Sequence, residues 1–139
     1  MAEKQRQFSL GIVVSQFNFE ITTIMANEAA KEAKKLGAAV AAVIEVPGAY
    51  EIPFAANRLL ARKDIDAVVA LGAVIKGETK HDEVITNAIC GQLLSLQMQH
   101  NKPIGLGISG PGQTEEQAAA RAEDYARRSV RAAVHMLKI

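Results

Sequence analysis

Within the dozen residues Leu71-Gly72-Ala73-Val74-Ile75-Lys76-Gly77-Glu78-Thr79-Lys80-His81-Asp82, an anion-binding turn and a proton-transfer group stand side by side. The apolar run Ala67 to Leu71 reads as a buried strand that feeds this stretch, and a helical pattern begins at about Asp82. A strand that empties into a glycine-bearing turn and then a helix leaves backbone N–H groups aimed at the turn. The helix dipole adds partial positive charge there, so the turn suits an anion such as phosphate. Thr79 with Asp82 three residues later is a capping-box-like signal for the helix start. His81 falls in the first helical turn, where positive potential disfavours imidazolium. A neutral ring able to exchange protons near neutral pH is the expectation. Location alone leaves His81 open between an acid/base group and a solvent-exposed cap residue.

Other candidates carry two readings each. Phe17 lies in a polar loop, Ser15 to Glu20, and is either a core residue or a stacking plane for a flat ligand. Glu51 follows the Pro47-Gly48 turn and is either a solvated first-turn acid or an acceptor for ligand hydroxyls. Arg121 is most simply a helix-surface charge. His100 and His135 lie near helix C-termini, where imidazoles meet the last carbonyls. The single cysteine, Cys90, rules out an internal disulfide and is a buried inert thiol or a reactive one. Three scattered histidines show no metal-ligand spacing, and there is no GxGxxG or Walker pattern.

The elements that must position these residues follow from the apolar pattern. The chain has 139 residues, 49% hydrophobic content and formal net charge +1, which fits one domain spanning 1–139 with residues 1–8 as a flexible arm. Disorder and a nucleic-acid footprint are both disfavoured, and 4% aromatics give no base-stacking platform. No apolar run approaches the roughly 18 residues of a membrane span. Met1 to Gln7 is polar and lacks the apolar core of a signal peptide, so a cytoplasmic location is expected.

Leu10–Val14, Val40–Val46, Ala67–Leu71 and Ile104–Ile108 read as short apolar strands. Between them, Ile21 to Leu36 is helical, with Ile21, Met25, Ala29, Ala33 and Leu36 in one stripe and Lys31, Glu32, Lys34 and Lys35 facing water. Gly37 ends that helix. A second helix starts near Pro53, and a third, Asp82 to His100, is apolar on more than one side. Such a helix is covered by the sheet and by a second body, another subunit. Thr114 with Gln117 forms a capping box opening the last helix, whose Ala118, Ala122, Ala126, Val130, Ala133 and Leu137 make a narrow seam. Strand–helix alternation repeated in this way implies an α/β fold: a three-layer flavodoxin-like sandwich with a four-stranded parallel sheet and helices on both faces. The loops Ser15–Glu20, Pro47–Glu51, Gly72–His81 and Ser109–Gly112 then share the carboxyl edge, where open sheets bind ligands.

Four stretches in order resemble the lumazine synthase family. They are Gly11 to Asn18, Val46 to Pro53, Leu71 to His81, and Glu116 to Ala118 with Arg121-Ala122; Gly107 to Gly112 looks like archaeal members in particular. The resemblance implies a transferase of riboflavin biosynthesis. It condenses 5-amino-6-(D-ribitylamino)uracil with 3,4-dihydroxy-2-butanone 4-phosphate to 6,7-dimethyl-8-ribityllumazine, releasing phosphate, with no cofactor or metal. By that similarity Phe17 stacks on the pyrimidine. Asn18 and the backbone of Ala73, Val74 and Ile75 meet its polar edge. Ala49, Tyr50 and Glu51 hold the ribityl chain. Gly77, Glu78 and Thr79 cradle phosphate, and His81 is the acid/base. Leu106 and Arg121 come from an adjacent subunit of a pentamer or a multiple of one.

Some positions depart from the commoner family pattern. Leu106 stands where an aromatic is frequent, and Glu78 where a small residue is usual. The loop Ser109 to Gln113 looks one residue longer, so Arg127 or Arg128 competes with Arg121 for the phosphate. Two rival functions share the fold: a non-catalytic flavin or lumazine carrier, and an archaeal-type riboflavin synthase. An intact phosphate stretch ending in His81 argues against both.

Overall fold

Two runs, Leu10 to Val14 and Ala67 to Ile75, carry no polar side chain on either face, and the sheet is built around them. A computed structural model describes residues 6–139 of the chain. Its strands are β1 (Ser9–Ser15), β2 (Ala39–Val46), β3 (Ala67–Ile75) and β4 (Ile104–Gln113). All pair in parallel, in the order β2-β1-β3-β4. Helices α1 (Phe19–Lys35), α2 (Ile52–Leu60), α3 (His81–His100) and α4 (Glu115–Leu137) complete the strand–helix alternation, with a short 3₁₀ turn, Ala49–Glu51, before α2. The expected three-layer α/β architecture with a four-stranded parallel sheet is what forms.

The side-chain alternation of the strands divides the core in two. Leu10, Ile12, Val14, Val69 and Leu71 face α1 and α4, while Val13, Val68 and Ala70 face α2 and α3. β2 and β4 are the edges. Val43 and Glu45 on β2 are exposed, whereas β3 is buried from Ala67 through Ala73. Gly105 and Gly107 on β4 let α4 approach closely: a Cβ at Gly105 would overlap the Ser129 carbonyl, and one at Gly107 would crowd Leu71 and Ser129. The seam of α4 supplies the complementary small surface, with Ala118, Ala122, Ala126 and Val130 fully buried and only Leu137 partly so.

Several boundaries differ from the sequence reading. β3 does not stop at Leu71 but continues to Ile75, because β4 runs beside it as far as Gln113 (Ala73 opposite Ser109, Ile75 opposite Gln113). The expected loop Ser109–Gly112 is therefore strand, irregular between Ala73 and Ile75, with Pro111 tolerated because β4 is an edge. α1 starts two residues earlier than the apolar stripe, at Phe19. Leu36 leaves the stripe and is exposed at the cap. Gly37 does end that helix, at φ 78°, with Ala38 N–H donating to Ala33 O at 2.8 Å.

Glu32, expected in water, is only 3% exposed and accepts from Arg131 Nε at 2.8 Å. Glu28 likewise accepts from Arg127 at 3.1 Å, so α1 and α4 are held by two cross-helix ion pairs. The Glu32 carboxylate raises the Arg131 pKa above its ordinary value through its hydrogen bond and its charge. His100, rather than meeting helix carbonyls, bonds through Nε2 to Asn57 Oδ1 at 2.8 Å. Residues 1–5 of the expected arm lie outside the described residues. Within its remainder, Arg6 pairs with Asp66 at 2.7 Å and Phe8 packs against the core.

Gly105→Ala should be severely destabilising, because the obstacle is helix backbone and cannot rotate away. A loss of about 3 kcal/mol is expected, seen as a lower urea midpoint at unchanged slope.

Candidate functional site

The cleft of chemical interest lies at the carboxyl edge of the sheet and has a volume of about 420 Å³. Three chain segments form it: the β1–α1 turn, the turn after β2, and the end of β3 with the start of α3. Phe17 and Asn18 come from the first, Ala49 and Tyr50 from the second, and Ala73, Val74, Ile75, Gly77, Thr79 and His81 from the third. Ser15, Gly48, Asp82 and Ile85 also line it. A larger cleft of about 660 Å³ lies between α1 and β2. Glu45 is the only ionisable side chain on its walls, so that cleft offers no acid/base pair and no cation for an anion.

Local backbone geometry explains why these residues converge. Phe17 is not a core residue: it is 72% exposed, and its N–H donates to Pro47 O at 3.0 Å. Gln16 N–H donates to Val46 O at 2.7 Å, so the first two turns continue the β1–β2 ladder past the strands. Asn18 then adopts φ 64°, a conformation asparagine tolerates better than most residues. Its Nδ2 donates to Ala73 O at 3.0 Å. Both groups expected to face a heterocycle therefore engage each other first. Asn18 Oδ1 and the second lone pair of Ala73 O remain for a ligand.

The turn after β3 has an unspent set of donors. Lys76 N–H is taken by Gln113 O at 2.7 Å. The next four N–H groups, of Gly77, Glu78, Thr79 and Lys80, donate to nothing among the described residues. Thr79 and Asp82 do not form a capping box: α3 begins at His81 with Lys80 as N-cap, and no side chain caps it. Instead Thr79 Oγ1 accepts from His81 N–H at 3.3 Å, which leaves the hydroxyl proton free to donate outward. The Asp82 carboxylate reaches across to Gly112 N–H at 2.9 Å and is buried. It ties the start of α3 to the end of β4. Sequence reasoning missed this contact because its partner lies 30 residues away. The signal available was a second acid beside His81.

Four expected site residues are not on the cleft wall. Glu51 Oε1 turns back to accept from Gly48 N–H at 2.9 Å, closing the 3₁₀ turn and leaving one carboxylate oxygen unspent. Glu78 is exposed in the anion turn. Leu106 is 49% exposed and lines a small groove with Cys90, Leu93 and Leu94 on the α3–β4 face. Arg121 is exposed on α4. Its rivals are engaged: Arg127 with Glu28 and Glu123, and Arg128 with Asp124, whereas Arg121 has no ion pair among the described residues. Burial pushes the Cys90 thiol above its usual pKa, which makes it a poor nucleophile at neutral pH.

Comparison with known proteins gives one consistent result. The family model described as 6,7-dimethyl-8-ribityllumazine synthase matches residues 7–139. A protein of that name from Staphylothermus marinus is 54% identical over 128 residues, covering 92% of this chain and 85% of the relative. One from Metallosphaera sedula is 55% identical over 129 residues, with 93% and 85% covered. One from Sulfolobus acidocaldarius is 46% identical over 136 residues, with 98% and 86% covered.

The Asp82 contact yields a stability expectation. Asp82→Ala should lower stability by about 1 kcal/mol, since it frees the Gly112 N–H and removes an acid from a helix start. Asp82→Asn keeps an acceptor and should lose less. Parallel urea titrations of the two variants check the ordering.

Proposed function

Because this chain belongs to the 6,7-dimethyl-8-ribityllumazine synthase family, we propose that the cleft at the sheet's carboxyl edge is where it makes lumazine. The protein is a transferase of riboflavin biosynthesis. It condenses 5-amino-6-(D-ribitylamino)uracil with 3,4-dihydroxy-2-butanone 4-phosphate and releases phosphate. The observation that carries the assignment of the site is one juxtaposition. An exposed aromatic ring, a run of unbonded backbone donors and an imidazole share one wall-lined space.

The chemistry asks for orientation, an anion site and proton transfer. Phe17, held by its N–H bond to Pro47, offers a ring face to the pyrimidine. Ala49 and Tyr50 border the ribityl chain, with the unspent oxygen of Glu51 within the same turn. The donors of Gly77 to Lys80, the outward hydroxyl of Thr79 and the α3 dipole receive phosphate. The amine attacks the ketone carbonyl, water leaves and an imine forms. Phosphate is then eliminated to leave an enol, which becomes a second ketone. The ribityl-bearing amine attacks that carbonyl, and the ring closes with loss of a second water. His81, at the first position of α3 beside the anion turn, moves protons between these steps. Glu78 is exposed in this turn, and its carboxylate must point away from a bound phosphate to avoid repelling it.

We further propose that the working unit is an assembly, a pentamer or a multiple of one, with each site shared between neighbours. Exposed Val84, Leu94 and Met98 on α3 and Leu106 on β4 support it, since they form an apolar face with no cover within the subunit. Leu106 and Arg121 are off the cleft of their own chain, as expected of residues supplied to a neighbour's. A cytoplasmic location belongs to the same proposal, in keeping with a lone thiol rather than disulfides.

With both substrates supplied, lumazine absorbance should grow faster than in buffer, matched by phosphate release; equal rates would remove the activity. His81→Ala should lower kcat by about a hundredfold yet leave turnover above the uncatalysed reaction, because orientation remains. Phe17→Ala and Arg121→Ala subunits, each inactive alone, should regain partial activity when dissociated and reassembled together. No recovery in assemblies proven to be mixed would mean that the site belongs to one chain.

A further inference from the structure

Ser15 ends β1 at the floor of the cleft and is 2% exposed. Alternation along β1 sends Leu10, Ile12 and Val14 toward α1 and α4, so Val13 and Ser15 point toward α2 and α3, the side on which the cleft opens. Its hydroxyl makes no hydrogen bond among the described residues. No side-chain oxygen or nitrogen sealed from solvent lacks a partner there, so the Ser15 oxygen keeps some contact with solvent. Ser15 lines this cleft and also borders the larger one between α1 and β2. The neighbouring strand keeps it uncovered. A Cβ on Gly72 would stand 3.0 Å from Ser15 Oγ and 3.3 Å from Ile52 Cδ1. Glycine at this position therefore leaves open the space directly over the hydroxyl.

We propose that Ser15 is a further substrate-contacting residue, its hydroxyl hydrogen-bonding a polar atom of the pyrimidine substrate at the base of the cleft. The surroundings are apolar, with Ala49, Ala73, Val74 and Ile85 on the walls. A bound ligand would shut solvent out of such a place, so the hydroxyl must then be met by a ligand oxygen or nitrogen or be left unpaired at a cost. A serine both donates and accepts, so it suits a ring carbonyl, a ring N–H or a ribityl hydroxyl. The inference rests on assigning the cleft to that substrate.

Ser15→Ala removes an oxygen with no partner in the chain, so thermal melting should be unchanged. Ser15→Cys keeps the side-chain shape with a slightly larger atom and loses most of the hydrogen bonding. In both, the KM for 5-amino-6-(D-ribitylamino)uracil should rise about five- to tenfold, with the KM for the butanone phosphate unchanged. Direct titration with the ribityl compound and with 5,6-diaminouracil locates the contact. Weakening of both ligands puts the bond on the ring, and weakening of the first alone puts it on the ribityl chain. Phe17→Ala is titrated beside them. If it weakens pyrimidine binding while Ser15→Ala and Ser15→Cys do not, the Ser15 assignment is overturned and the cleft stands. If none of the three changes affinity, the cleft itself is misassigned and the Ser15 proposal falls with it.

Discussion

Strand pairing is the constraint from which the rest of the molecule follows. β1 and β3 lie inside a parallel sheet, bonded on both sides and covered on both faces. Their backbone groups are spent on neighbours and their side chains on the two cores. Polar chemistry is excluded from the interior and becomes possible only where the strands stop. The carboxyl ends leave N–H groups at helix starts, and those ends carry the loop residues with unmet hydrogen-bonding capacity. The position of the cleft is thus a consequence of where the ladder runs out.

The two helical layers divide the work unequally. α1 and α4 are locked to each other by Glu28–Arg127 and Glu32–Arg131 and to the sheet by the alanine seam of α4. That side of the sheet serves as a foundation. The opposite layer, α2 and α3, adjoins both the 3₁₀ turn and the turn of unbonded N–H groups after β3, and α3 keeps an apolar flank that its own chain does not cover. Fixing one face and using the other lets the cleft be built from turns without loss of precision.

The sequence carried the local signals and lost the distant ones. Buried apolar runs gave the strands, Gly37 and the Thr114–Gln117 pair marked helix ends, and four odd loops indicated one edge of the sheet. These depend on neighbours within a few residues. Glu32 read as a surface charge because its cation is on another helix, 99 residues away. Ser109 to Gly112 read as a loop because glycine and proline are turn formers, and only pairing with β3 makes the segment a strand. Thr79 and Asp82 fit a local capping pattern. The carboxylate was drawn instead to an N–H that sequence spacing could not foresee. Phe17 stayed ambiguous between core and ligand until its exposure was known. The resemblance implied that Leu106 and Arg121 serve a neighbouring subunit, and neither lines the cleft of this chain.

The two backbone bonds that prolong the β1–β2 ladder, from Gln16 and Phe17 to Val46 and Pro47, make the aromatic platform and the adjoining proline–glycine bend one rigid body. On the proposed assignment of the cleft, selectivity for the flat head of a ligand and selectivity for its flexible tail are therefore mechanically coupled. A change that widened the bend to admit a bulkier tail would tilt the platform with it, so evolution toward altered tails must proceed through correlated adjustment of both turns.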